Sequence, residues 1–155
     1  MMELAKSIVK IDEGFRPKPY FDHLGYPTIG VGFRIAGTAQ HDPLPDITMT
    51  RAEADIILNE KISALIEQFN NNDFKKIFPR LNDVRQSVLI SMAFQVGMYG
   101  LLKFRNMRRA LAVSDYDKAA EEIIDSAAWR DPLTRDRFTR NAEMMRTGKL
   151  LDYYK

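Results

Sequence analysis

Glu13 and Asp22 are the side chains of this 155-residue sequence whose types and spacing are best suited to chemistry. They lie nine residues apart in the run KIDEGFRPKPYFDHLGYPTIGVGF, from Lys10 to Phe33. Two carboxylates on either side of a sharp change of chain direction can face each other across a cleft, one as general acid and the other as general base. Glycoside hydrolysis requires that arrangement. Glu13 closes a helical stretch, where the partial negative charge of a helix C-terminus disfavours an ionised carboxyl and so suits the acid role. Asp22, in the polar turn DHLG, suits the base. The extended run that follows puts Thr28 on the same side as Gly30 and Gly32, whose missing side chains would leave room for a substrate. Taken singly, each residue also fits a plainer role: an exposed helix-end acid, a turn former and a β-former.

The elements that must position these residues can be read from periodicity. Leu4, Ile8 and Ile11 recur at helical spacing, and Gly14 supplies a stop. Two extended runs follow, KPYFD and YPTIGVGF, separated by HLG; Ile29, Val31 and Phe33 fall on one face and Thr28, Gly30 and Gly32 on the other. This predicts a hairpin in a small sheet. The run AGTAQHDPLPD is loop by its Gly, Pro and Asp content. Thr50 and Glu53 form a capping box ahead of the stripe Leu58, Ile62, Leu65, Ile66 and Phe69, which predicts a helix over 50–69. Further helices are expected at 82–96, 104–112, 115–127 with Asp115 as cap, and 134–146 with Thr134 as cap, punctuated by Gly97, Gly100 and Gly148. A sheet confined to the first third, followed by helices, makes an α+β architecture with a small β lobe and a larger helical lobe. The cleft between two such lobes is the expected place for a ligand.

Composition narrows the classes. Apolar residues make up 45% and charged residues 28%, ordinary globular usage for a single domain with its own core. No stretch approaches the roughly 18 consecutive apolar residues of a membrane span, so a soluble protein without stable membrane insertion is expected. The start, MMELAKSIVKIDEGF, has no uninterrupted apolar segment followed by a small-residue cleavage site, so no signal peptide is read and synthesis into the cytoplasm is expected. The absence of cysteine excludes disulfides, thiolate metal sites and cysteine nucleophiles. His23 and His41 lie in loops without an H-E-x-x-H pair, so no metal is expected. Residues 1–77 carry 9 basic and 11 acidic side chains and residues 78–155 carry 14 and 10, a mildly basic second half suited to an anionic polymer. Arg130, Arg135, Arg137, Arg140, Arg146 and Lys149 cluster near the C-terminus, but Asp131, Asp136 and Glu143 dilute them to a net +3. No nucleic-acid partner is expected from so mixed a patch.

The full pattern E-G-x(5)-Y-x-D-x(2)-G-x(2)-T-I-G-x-G, from Glu13 to Gly32, closely resembles the signature of the phage-type lysozymes, the endolysins of glycoside hydrolase family 24, and their T-even-phage branch most of all. TRAEADIILNEKI resembles that family's long inter-lobe helix, DVRQSVLISMAFQVGMYGLLKF its central buried helix, and RTGKLLDYY its C-terminal segment. The resemblance implies one lysozyme-like domain over 1–155: an N-terminal helix over 1–12 packing on the helical lobe, a β lobe over 14–49, a connecting helix over 50–69 and a helical lobe over 70–155. It implies an inverting muramidase acting on bacterial peptidoglycan, with Glu13 as proton donor, Asp22 as second carboxylate and Thr28 helping to position the attacking water. It also implies Phe94 and Arg34 as substrate contacts, with Gly30 and Arg137 in support. Arg137 falls where the family carries an arginine that pairs with the catalytic glutamate, and Phe94 fits a core position as well as a cleft-lining one. The resemblance further implies a monomer without cofactor, held in the host cytoplasm until a holin-like partner releases it to the cell wall.

The sequence departs from the family in places. Phe33 and Arg34 stand where histidine and leucine are usual, the segment between Phe33 and Thr50 is shorter than in T-even-phage enzymes, and Met107 and Glu122 replace small polar cleft residues. A non-catalytic or tail-associated peptidoglycan-binding protein on the same fold is the competing expectation.

Overall fold

The computed structural model describes residues 1–155. It is an α+β fold with one three-stranded antiparallel sheet near the N-terminus and helices elsewhere. The chain forms two compact units, Val9–Lys61 and the combination of Met1–Ile8 with Ile62–Lys155.

Helix α1, Met2–Glu13, has a buried stripe of Ala5, Ile8 and Val9, while Ile11 is exposed. The buried face is thus rotated about one residue from the expected Leu4–Ile8–Ile11 line. The helix stops at Gly14, whose φ of 72° lies in the left-handed region and whose amide donates to the Lys10 carbonyl at 2.9 Å.

The sheet of the Val9–Lys61 unit runs in the order β1 (Arg16–Phe21), β2 (Pro27–Gly30), β3 (Phe33–Arg34). YPTIGVGF is therefore not one strand. Gly30 and Gly32 take φ of 69° and 68°, and the chain folds back so that Ile29 pairs with Phe33 and Thr28 with Arg34. A single strand would need extended backbone at both glycines, and neither has it. The alternation of faces fails for the same reason: Thr28, Ile29, Gly30, Val31 and Phe33 are all buried. On the other side of β2, Arg16 pairs with Gly30, Tyr20 with Thr28 and Phe21 with Pro27, with a bulge between Arg16 and Tyr20. The segment from Ile35 to Thr50 forms no helix or strand and is tied back by Met49 N–H to the Pro17 carbonyl at 2.9 Å and by Lys18 Nζ to Thr48 Oγ1 at 2.6 Å.

Helix α2, Arg51–Asn71, begins with the expected capping box: Glu53 N–H donates to Thr50 Oγ1 and Thr50 N–H to Glu53 Oε1, both at 3.1 Å. Lys10 Nζ joins α1 to α2 through Asp55 Oδ1 at 2.6 Å.

The larger unit is helical. Phe69, Phe74 and Phe78 form an aromatic cluster, with Phe69 stacked on Phe78 at 4.6 Å and edge-on to Phe74 at 5.2 Å. Helix α3, Asp83–Leu102, is capped by Asn82, is buried through Ser87–Ala93, and breaks its helical geometry at Gly97, where φ is 79°. Helices α4 (Arg105–Ala112) and α5 (Tyr116–Ile124) follow, the latter capped by the Asp115 carboxylate, which accepts from Lys118 N–H at 3.1 Å. The expected 115–127 helix ends early because Ser126 caps a separate short helix, α6 (Ala127–Arg130), by accepting from Trp129 N–H at 3.2 Å. Helix α7, Arg135–Thr147, begins without a side-chain cap: Thr134 instead donates its hydroxyl to the Ala128 carbonyl. Its far end is closed by Gly148 and by Arg85, which donates to the carbonyls of Met145 and Arg146 at 2.8 and 3.0 Å.

Replacing Thr50 with Ala removes one side of the capping box and is expected to lower the unfolding free energy by about 1 kcal/mol. Urea denaturation followed by circular dichroism measures it; an unchanged midpoint would mean the box contributes nothing to the fold.

Candidate active site

The residues with acid–base potential are held by backbone geometry within the Val9–Lys61 unit. Glu13 is the last residue of α1, half-buried, and its carboxylate lies against Gly32 in the turn between β2 and β3. A Cβ at Gly32 would stand 2.6 Å from Glu13 Oε2, closer than any real contact allows. Gly32 is therefore glycine for two reasons, its positive φ and the carboxylate that fills its side-chain space. Gly30 serves the packing of the same turn, since Met49 Sδ and the Phe33 ring occupy the place of its missing Cβ. The glycines' own side-chain positions are thus filled by the protein. They admit Glu13 on one and the packed Met49 and Phe33 on the other.

Asp22 opens the turn between β1 and β2. Its Oδ1 accepts from the amides of Leu24 and Tyr26, each at 2.9 Å, while its own amide donates to the Tyr26 carbonyl at 3.0 Å. Thr28, only 3% exposed, donates its hydroxyl proton to that same carbonyl at 2.8 Å. One peptide residue, Tyr26, thereby fixes both Asp22 and Thr28. With its proton so committed, the Thr28 oxygen has only acceptor capacity to offer a neighbouring water. Arg34 pairs with Thr28 across the β2–β3 ladder, and its exposed guanidinium stacks 3.7 Å over the Tyr26 ring.

Sequence reasoning passed over Tyr20, although it stands in the quoted pattern two residues before Asp22. It lies directly opposite Thr28, and Arg16 covers its ring at 4.0 Å. The Tyr20 hydroxyl is held above the usual tyrosine range, first by partial burial and then by the negative charge of Glu13, with Asp22 adding to it and Arg16 opposing. Only its place opposite Thr28 marks it out, and that needs the strand register.

The remaining expected site residues belong to the helical unit. Phe94 is half-buried on α3. Arg137 is buried on α7, where its guanidinium donates to Gln95 Oε1 and, at 3.3 Å, to Ser91 Oγ. His41 packs its imidazole over Gly25 and donates its backbone N–H to the Gly25 carbonyl at 2.8 Å, bracing the turn that carries Asp22. No three His, Asp or Glu side chains are grouped to hold a metal ion.

In Gly32→Ala the new methyl and the Glu13 carboxylate cannot both keep their places. Hydrolysis of a glycan substrate is expected to fall roughly a hundredfold, with a stability loss of about 1 kcal/mol from strain at positive φ. Full activity in that variant would mean that the Gly32 contact does not set the position of Glu13.

Comparison with known proteins places this geometry in a lineage. The chain is similar to the pre-baseplate central spike protein Gp5 of Enterobacteria phage T4, 29% identical over 98% of this chain but only 29% of that protein's length. It is also similar to the probable T4-type lysozymes 1 and 2 of Dictyostelium discoideum, 25% and 24% identical over 99% of this chain and of each relative. The family described as phage lysozyme matches residues 10–134, which include Glu13, Asp22, Thr28 and the whole sheet, and the chain belongs to that family.

Proposed function

We propose that the protein is a muramidase that hydrolyses the β-1,4 bond between N-acetylmuramic acid and N-acetylglucosamine in bacterial peptidoglycan, with inversion at the anomeric carbon. Glu13 gives its proton to the glycosidic oxygen as the bond to the anomeric carbon breaks. Asp22 takes a proton from the water whose oxygen attacks that carbon from the opposite face. Thr28 accepts a hydrogen bond from the same water, because its own proton is committed to the Tyr26 carbonyl. The observation that carries this reading is the shared anchoring of Asp22 and Thr28 on Tyr26, in the same unit as the Glu13 carboxylate seated on Gly32. Family membership supports it.

In this reading Arg34 and Phe94 contact the glycan, and Arg137 supports the acid. The biological setting that fits best is host-cell lysis by a monomeric endolysin that needs no cofactor. It waits in the host cytoplasm until a holin-like partner opens the way to the wall. A second reading is a tail-associated wall-cleaving protein; the similarity to the phage T4 spike protein over 98% of this chain favours it.

Purified peptidoglycan treated with wild type, Glu13→Gln and Asp22→Asn tests the chemistry. The wild type is expected to release new muramic-acid reducing ends, and each substitution to reduce that release by about a hundredfold or more. Binding to the wall without any release by the wild type would leave a wall-binding protein on a lysozyme fold.

A further inference from the structure

Within the helical unit the positive charge is unevenly spread. Residues 73–112 carry eight Lys and Arg side chains against two Asp, a larger excess than that of the Arg-rich C-terminal stretch. The fold gathers most of it on one face. Arg108 on α4 reaches Asp73 at 3.6 Å and Arg80 donates to the Ala112 carbonyl at 3.0 Å, so the segment Asp73–Arg80 lies against α4. Ile77, Arg105, Arg108, Arg109 and Ala112 surround a hollow of about 240 Å³ there. Arg105 and Arg109, one helical turn apart, also line an adjoining hollow of about 660 Å³ together with Lys103. Lys75 and Lys76, beside Ile77, are exposed.

The protein leaves these cations uncompensated. Arg108 shares Asp73, but Lys75, Lys76, Lys103, Arg105 and Arg109 sit on no carboxylate. Elsewhere in the same unit Lys118, Arg130, Arg146 and Lys155 are each paired with an acid. The acids bordering the larger hollow, Glu122 and Asp125, are the ones held by Lys118 at 3.2 Å and Arg130 at 3.5 Å. Like charges crowded on one face repel each other, and an anion seated among them relieves that repulsion.

Shape and chemistry narrow the anion. The small hollow is below the roughly 300–1,000 Å³ of a pocket that takes a whole small molecule, so it suits one anionic group of a longer ligand. Guanidiniums match a phosphate, whose oxygens accept their paired N–H donors. Arg105 and Arg109, shared by both hollows, give a chain of repeated anions a continuous path from one to the other. The apolar side of α4, Met107, Ala110 and Leu111, is buried in the core and cannot enter a lipid surface. No aromatic ring lines the small hollow, so nothing there stacks a base.

We propose that the face formed by α4 and Asp73–Arg80 binds a phosphodiester polymer of the bacterial envelope, a polyol phosphate without bases. One phosphate occupies the hollow of Arg105, Arg108 and Arg109, and its neighbours in the polymer meet Lys75, Lys76 and Lys103. The choice of an envelope polymer rests on the wall-directed function proposed above, whereas the binding itself needs no catalysis. Such a contact raises the concentration of the protein at the wall between cleavages.

Titration calorimetry with poly(glycerol phosphate) at several salt concentrations tests this. It compares wild type, Arg105→Gln/Arg109→Gln, and Arg146→Gln/Lys155→Gln, which loses the same charge from acid-paired positions of the same unit. The first pair is expected to weaken binding roughly tenfold and to flatten the dependence of log Kd on log salt by about one to two. Its Tm and its release of reducing ends from polymer-free soluble fragments stay as in the wild type, and the second pair binds like the wild type. Equal weakening by both pairs reduces the effect to net charge and overturns the proposal, as does a wild type that binds no polymer. Tighter binding of duplex DNA or of anionic lipid vesicles at equal phosphate concentration assigns the face to that ligand and overturns it too. A wild type that binds the polymer through Arg105 and Arg109 yet releases no reducing ends defeats the acid–base reading alone and leaves this proposal standing.

Discussion

Where Glu13 can stand is decided by a side chain that is not there. The carboxylate at the end of α1 occupies the space that any Cβ at Gly32 would claim, and Gly32 adopts a backbone conformation that other residues reach only with strain. Both demands fall on one position in a turn between two short strands. The rest of the unit can be understood as what keeps that turn against that helix end: Gly14 stops α1 at the right residue, Lys10 ties the helix to Asp55, and Met49 and Phe33 fill the neighbouring place beside Gly30.

Asp22 and Thr28 are secured differently. Tyr26 donates its amide to the aspartate and lends its carbonyl to the aspartate's amide and the threonine's hydroxyl, so one peptide residue holds both side chains at fixed separation. These are short-range backbone contacts inside a β-turn, and they cost little conformational freedom beyond what the turn has already surrendered. Glu13 and Asp22 thus depend on two distinct local devices, a glycine turn for the first and an Asx-type turn for the second. A change in one can be made without dismantling the other.

Much of the fold could be read from the sequence because its signals are local. The capping box at Thr50 and Glu53, the Asp115 cap and the Gly14 stop depend on side chains within four residues of their partners, and each forms as expected. The errors arose where a local signal competed with a tertiary one. YPTIGVGF carries the alternation of a strand, yet two positive-φ glycines turn it back, because the turn must meet Glu13. Thr134 has the residue type of a cap, but its hydroxyl is drawn to the Ala128 carbonyl as α6 and α7 pack. Leu4, Ile8 and Ile11 share a helical face, yet burial follows Ala5, Ile8 and Val9, which only the surrounding structure can select. Glu13, Asp22 and Thr28 were legible as residue types in a pattern, whereas Tyr20 became visible only through the register that sets it opposite Thr28.

A site with Glu13 as acid and Asp22 directing water from the other side of the sugar has one stereochemical consequence. Proton NMR of the product during the first moments of cleavage, before mutarotation, reads the configuration of the new reducing end directly. The account predicts that the β-linked glycan yields the α-anomer first. Initial release of the β-anomer would mean that the carbon is attacked twice, through a covalent intermediate, and would contradict the roles assigned to Asp22 and Thr28.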